Sequence, residues 1–138
     1  MRSRISVVDS NVLFSIELTD LFVTFAKRRL IQVRWSRTIL DEVRGSLLED
    51  GRLAPAAVEY RINAMQRALP DAMHFHSVDP TYHLQVAPSD RHVLTLAITS
   101  GADSIITLNT RDFPRDYCAT LNVEILTPDE GLTEILNA

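Results

Sequence analysis

The chain has 138 residues, 46% of them hydrophobic and 23% charged, with a formal net charge of −4. That is the length of one domain, expected to span 1–138, with enough apolar residues for a core without disulfide or metal staples. The acidic balance excludes a generally basic nucleic-acid binder, the lone Cys118 excludes an internal disulfide and a cysteine-rich zinc site, and no apolar run reaches the length of a membrane span or a signal-peptide core. A reduced, cytoplasmic setting is therefore expected, with Cys118 packed as a small hydrophobe.

In chain order, Ile5–Val8 reads as a short buried strand running into Asp9. From Asn11 to about Arg29, apolar residues recur at helical spacing (Leu13, Phe14, Leu18, Leu21, Phe22, Phe25), and the cations at 27–29 suit a helix C-terminus. Residues 31–35 alternate like a brief strand. Ser36 is placed to cap a second helix that runs to about Asp50, with Ile39, Leu40, Val43 and Leu47 on one face and Gly51 as its stop. Pro55 suits the first turn of a third helix, to about Leu69.

Residues 73–78 alternate and read as a strand, and 81–88 as a connector. Ser89-Asp90 opens a helix whose buried face is Val93, Leu94, Ala97 and Ile98, ended by Gly101. Ser104–Leu108 is the clearest strand, 109–114 a loop, and Val123–Leu126 a last strand. Thr127, Pro128 and the acids at 129 and 130 start a final helix. Strands alternating with helices predict a three-layer α/β/α sandwich with a mainly parallel central sheet. In such sheets the functional crevice lies beyond the carboxyl ends of the strands.

Four acids fall at or near those ends. Asp9 and Asp112 follow strands, Asp90 opens a helix, and Glu42 lies at the edge of a buried helical stripe, beside Val43 and three residues after Ile39. Each has an ordinary alternative: helix cap for Asp9, first-turn acid for Asp90, turn residue for Asp112, solvated helix residue for Glu42. Gathered at one rim, ionised carboxylates repel unless a cation balances them, and oxygen ligands suit Mg²⁺ or Mn²⁺.

The segments 7–13 (VVDSNVL), 36–43 (SRTILDEV), 88–97 (PSDRHVLTLA) and 101–114 (GADSIITLNTRDFP) together resemble the successive motifs of the PIN-domain family, over nearly the whole chain. The form with Asn ahead of Asp-Phe-Pro resembles the VapC-like toxin component of type II toxin–antitoxin pairs. The resemblance implies a metal-dependent endoribonuclease with Asp9, Glu42 and Asp90 as its first three acids. Where the family carries Thr-X-Asp this chain has Thr107-Leu108-Asn109, so either Asn109 or Asp112 supplies the fourth oxygen ligand. By the same likeness Asn11 and Thr107 are polar supports. The expected arrangement has Asp9 and Asp90 on one Mg²⁺ or Mn²⁺ ion and Glu42 and Asp112 completing it or bridging through water. It further implies an RNA substrate, a small antitoxin partner and homodimer formation.

RNA must be held by rim cations, with Arg91, Arg111 and Arg115 the first candidates and Arg34 and Arg37 the second. His74 and His76 are expected to be structural, His92 to support Asp90, and Trp35 and the phenylalanines to lie in the core. A receiver domain is disfavoured because the only lysine, Lys27, sits at a helix end. A glycine-rich nucleotide loop is absent. The rival from another class is a catalytically weak or inactive domain that binds RNA or protein; Asn109 in an acid's place keeps it open.

Overall fold

The computed structural model describes residues 3–75 and 84–137. Four short strands, β1 (Ile5–Val8), β2 (Gln32–Arg34), β3 (Ser104–Ile106) and β4 (Glu124–Leu126), form one sheet in the order β2-β1-β3-β4. Every pairing is parallel: Val7 is opposite Arg34 on one side and Ile105 on the other, and Ile105 is opposite Ile125. Among the described residues, seven α-helices connect and cover these strands: α1 (Ser10–Leu13), α2 (Ile16–Lys27), α3 (Arg37–Asp50), α4 (Pro55–Ala68), α5 (Arg91–Thr99), α6 (Arg115–Thr120) and α7 (Pro128–Leu136).

Successive side chains on a strand point to opposite faces, yet Ser6, Val7 and Val8 on β1 and all three residues of β3 are buried. Both faces of the sheet are therefore covered, which makes the fold the expected α/β sandwich with an all-parallel sheet. Ser6 and Ser104 sit opposite one another and satisfy each other's buried hydroxyls at 2.7 Å. Trp35, Phe22 and Phe113 fill the largest fully buried volumes, and Cys118 is buried as a packed hydrophobe.

Local chemistry sets most helix boundaries. Ser36 accepts from the Ile39 amide at 3.1 Å to start α3, and Gly51, in the left-handed region at φ 77°, ends it. Thr127 and Glu130 form a reciprocal capping box on α7. Gly131 lets that helix sit against β3, since a Cβ there would come within 2.9 Å of Ile106 Cδ1.

Three expectations need correction, and one helix was not foreseen. The helix expected from Asn11 to Arg29 is two helices. Ser15 interrupts it and caps α2 by accepting from Leu18 N–H at 3.2 Å. The carbonyls of Leu13 and Phe14 freed at the break are taken by the Arg61 guanidinium from α4, a contact that apolar periodicity does not reveal. Residues 115–120, to which the sequence assigned no element, form α6; six residues are too few for a periodic signal. Ile98, expected on the buried face of α5, is exposed. Of the strand expected over 73–78, Met73 makes an isolated parallel bridge to Trp35, and 76–78, with His76, lie outside the described residues. The first part of the connector expected at 81–88 lies outside them too. No helix among the described residues is long and apolar enough to cross a membrane.

Candidate active site

The site begins where β1 and β3 end side by side. The Asp9 amide extends the ladder by donating to Ile106 O at 3.0 Å, and the Thr107 amide donates to Leu126 O at 2.9 Å. These two residues thus leave the sheet together. Asp9 is 6% exposed. Its Oδ1 caps α1 by accepting from Ser10 N–H at 2.8 Å, and its Oδ2 accepts from the Thr107 hydroxyl at 2.9 Å. Asn11 joins the pair: its amide donates to Thr107 Oγ1 at 3.2 Å and to Asp9 Oδ2 at 3.3 Å, while its Oδ1 accepts from Leu108 N–H at 3.0 Å. Asn11 and Thr107 therefore stand as polar supports around one carboxylate. Burial pushes the Asp9 carboxyl above its usual range and the Glu42 charge adds to this, while the Thr107 and Ser10 hydrogen bonds offset part of the rise.

Asp90 closes a short 3₁₀ turn (Pro88–Asp90) and stands at the N-cap of α5, yet its side chain makes no capping hydrogen bond. Its carboxylate is thus not committed to the helix. Burial raises its proton affinity most, followed by the charges of Asp112, Asp9 and Glu42, with His92 opposing. Four acids from separate segments thus share one field. Glu42, half-buried on α3, behaves differently. Burial alone would raise its pKa, but a 3.0 Å hydrogen bond from His92, the charge that imidazole carries when protonated, and a bond from the Ser10 hydroxyl bring the net value below the usual range. His92 thus partners Glu42 rather than supporting Asp90. Ser10 is a contributor that the sequence left unassigned, and the partner of His92 was misplaced, since nothing in the sequence reports that α3 and α5 approach one another.

Asp112 ends the 3₁₀ turn Thr110–Asp112 and is exposed. Asn109 is exposed too; its backbone N–H donates to Thr107 Oγ1 at 3.1 Å and its side chain caps nothing.

The comparisons with known proteins bear directly on this arrangement. A family model described as PIN domain matches residues 6–111. The chain belongs to the PIN-domain family. Neither curated proteins nor solved structures give a significant match. PIN domains are typically metal-dependent nucleases.

The donor set, carboxylate oxygens only, is of the kind that suits a hard divalent cation; burial chiefly, and neighbouring acids, raise the pKa of Asp9 and Asp90. As placed, however, no group of three or more His, Cys, Asp or Glu side chains among the described residues converges closely enough to hold an ion. Asp9 is buried, the Asp90 side chain caps nothing, Glu42 is engaged by His92, and Asp112 lies at the exposed margin.

The expected rim arginines differ in availability. Arg91 is half-buried and donates to Val86 O at 3.2 Å, bracing the turn before Asp90. Arg115 is paired with Glu130 at 3.0 and 3.4 Å, and lines a groove of about 770 Å³ beside β4 with Arg4 and Asp103, residues at the opposite strand ends from Asp9. Arg111 is exposed and makes no ion pair among the described residues. Arg34 is bonded to Val33 O and Gln32 Oε1, and Arg37 is exposed at the start of α3.

Proposed function

We propose that this PIN domain is an Mg²⁺- or Mn²⁺-dependent endoribonuclease and the toxin of a toxin–antitoxin pair. The supporting observation is the meeting of Asp9 and Thr107 at the ends of the two central strands, with the uncapped Asp90 carboxylate in the same field. Asp9 and Asp90 would hold the ion, with Asp112 or Asn109 completing its ligands. The chemistry supplied there by a bound Mg²⁺ or Mn²⁺ is the acidification of water and the polarisation of a phosphoryl oxygen. The chain's own residues do the rest. Thr107, Asn11 and the Ser10 amide fix the orientation of the Asp9 carboxylate. Arg111, on the Asp112 turn and without an ion-pair partner among the described residues, would supply positive charge to a phosphate backbone. No serine or cysteine nucleophile enters this scheme.

The toxin assignment is supported by the 101–114 segment, whose Asn-Thr-Arg-Asp-Phe-Pro form resembles the VapC-like branch; a small antitoxin, a homodimer and a cytoplasmic site of action are proposed on the same ground. The test is cleavage of single-stranded RNA. Wild type should cut in Mg²⁺ or Mn²⁺ and not in EDTA, and Asp9→Asn should be inactive while folded. Full metal-dependent cutting by Asp9→Asn refutes the assignment.

One observation favours a second reading, a binding module that does not cut: among the described residues no three acids converge on one point. RNA or protein binding that persists in EDTA, with no cleavage in either metal, would select it.

A further inference from the structure

Glu42 and His92 come from helices that pack on different parts of the fold. α3 packs against α1 and α4, whereas α5 packs against β1 and β3. The 3.0 Å contact between His92 Nε2 and Glu42 Oε2 is a direct tie between them, two residues from Asp90 and near Ser10, the first residue of α1.

The environment of the imidazole selects its tautomer. At neutral pH an ordinary glutamate is ionised, and an ionised carboxylate only accepts hydrogen bonds. The hydrogen between the pair therefore belongs to Nε2. The other ring nitrogen, Nδ1, is buried with no hydrogen-bond partner among the described residues. A buried N–H left unpaired is costly, so Nδ1 is better left as a bare lone pair. The imidazole side chain is 20% exposed and the Glu42 side chain 39%. Glu42 is thus reachable from solvent on one side and fixed from the other.

We propose that His92 is the positioning residue of Glu42: as the Nε2–H tautomer it fixes that carboxylate at the acid rim, ready to support an ion on Asp9 and Asp90. The metal part of this proposal rests on the nuclease reading above; the tie itself does not. A histidine whose function was only to fill space on α5 would not need its Nε2 aimed at a carboxylate, and an apolar residue of the same bulk would replace it.

Two measurements test it. In EDTA, ¹⁵N NMR of the wild-type chain should show His92 as the Nε2–H tautomer, with resonances that move in Glu42→Gln. An Nδ1–H tautomer, or indifference to Glu42→Gln, overturns the proposal. In calorimetric titrations with Mn²⁺, His92→Leu should bind about 10- to 100-fold more weakly than wild type, the range for losing a group that orients a ligand. His92→Gln, whose amide N–H can reach Glu42, should recover to within a few-fold, with melting temperatures that do not track the affinities. Equal affinity in His92→Leu and wild type overturns it, as does His92→Gln binding no better than His92→Leu. If the wild type binds no Mn²⁺ at all, the nuclease reading fails, and the tie to Glu42 is decided by the NMR result.

Discussion

The Thr107 hydroxyl donates to Asp9 Oδ2 at 2.9 Å, joining the first residues past β1 and β3 across 98 positions of sequence. Thr107 Oγ1 also receives the Asn109 amide and the Asn11 side chain. Replacing it with the isosteric valine leaves a buried carboxylate oxygen short of a donor and removes an acceptor from two N–H groups. Thr107→Val should therefore lose about 1–3 kcal/mol of stability in urea denaturation, and RNA cleavage should fall with it. A variant as stable as wild type would show the network to be incidental.

Asp90 should trade stability for function. Burial and neighbouring acids raise its folded-state pKa. The fold thus binds that proton more tightly than the unfolded chain does. The resulting stabilisation is full below the ordinary carboxylate range and is lost as pH rises through the raised value. At neutral pH without metal, Asp90→Asn should melt higher than wild type, on the order of 2 °C, and the gap should close on acidification. Added Mn²⁺ should raise the wild-type melting temperature and leave Asp90→Asn unmoved. Thermal scans in EDTA and in Mn²⁺ check both halves.

The same shifts set the pH dependence of ion binding. Protons compete with the cation for Asp9 and Asp90, and both carboxyls take up protons above their usual range, chiefly through burial. Mn²⁺ affinity should thus begin to fall as pH drops from neutral toward the ordinary carboxylate range of about 4, before exposed carboxylates protonate. Calorimetry across that range gives the answer; a flat profile counts against Asp9 and Asp90 as ligands.

Among the arginines, only part of the expected rim is free to act. Arg111→Ala should weaken RNA binding and lower the salt slope of the affinity by about 1. Arg115→Ala should leave RNA binding near the wild-type level, because that guanidinium is engaged by Glu130. Fluorescence anisotropy at several salt concentrations separates them.

Much of this architecture could be read from local signals. Asp9 after two valines, the Ser36 cap with Gly51, and the Thr127–Glu130 box are short-range chemistry, and each lies where it was expected. The burial of β3 followed from its unbroken apolar run. What escaped reading depends on distant parts of the chain. The break at Ser15 is stabilised by Arg61, more than 40 residues away, and the Glu42–His92 tie spans 50 positions. Arg115 looked like a rim cation from its place beside the Asp-Phe-Pro loop, but the unforeseen helix α6 begins at that residue and its side chain pairs with Glu130.

The central claim, that folding builds a divalent-cation site from Asp9 and Asp90, is tested most directly by crystals soaked in Mn²⁺ and measured for anomalous scattering. The account predicts a peak bonded to carboxylate oxygens of both residues. A well-ordered site without such a peak, or a peak held only by other side chains, would contradict it.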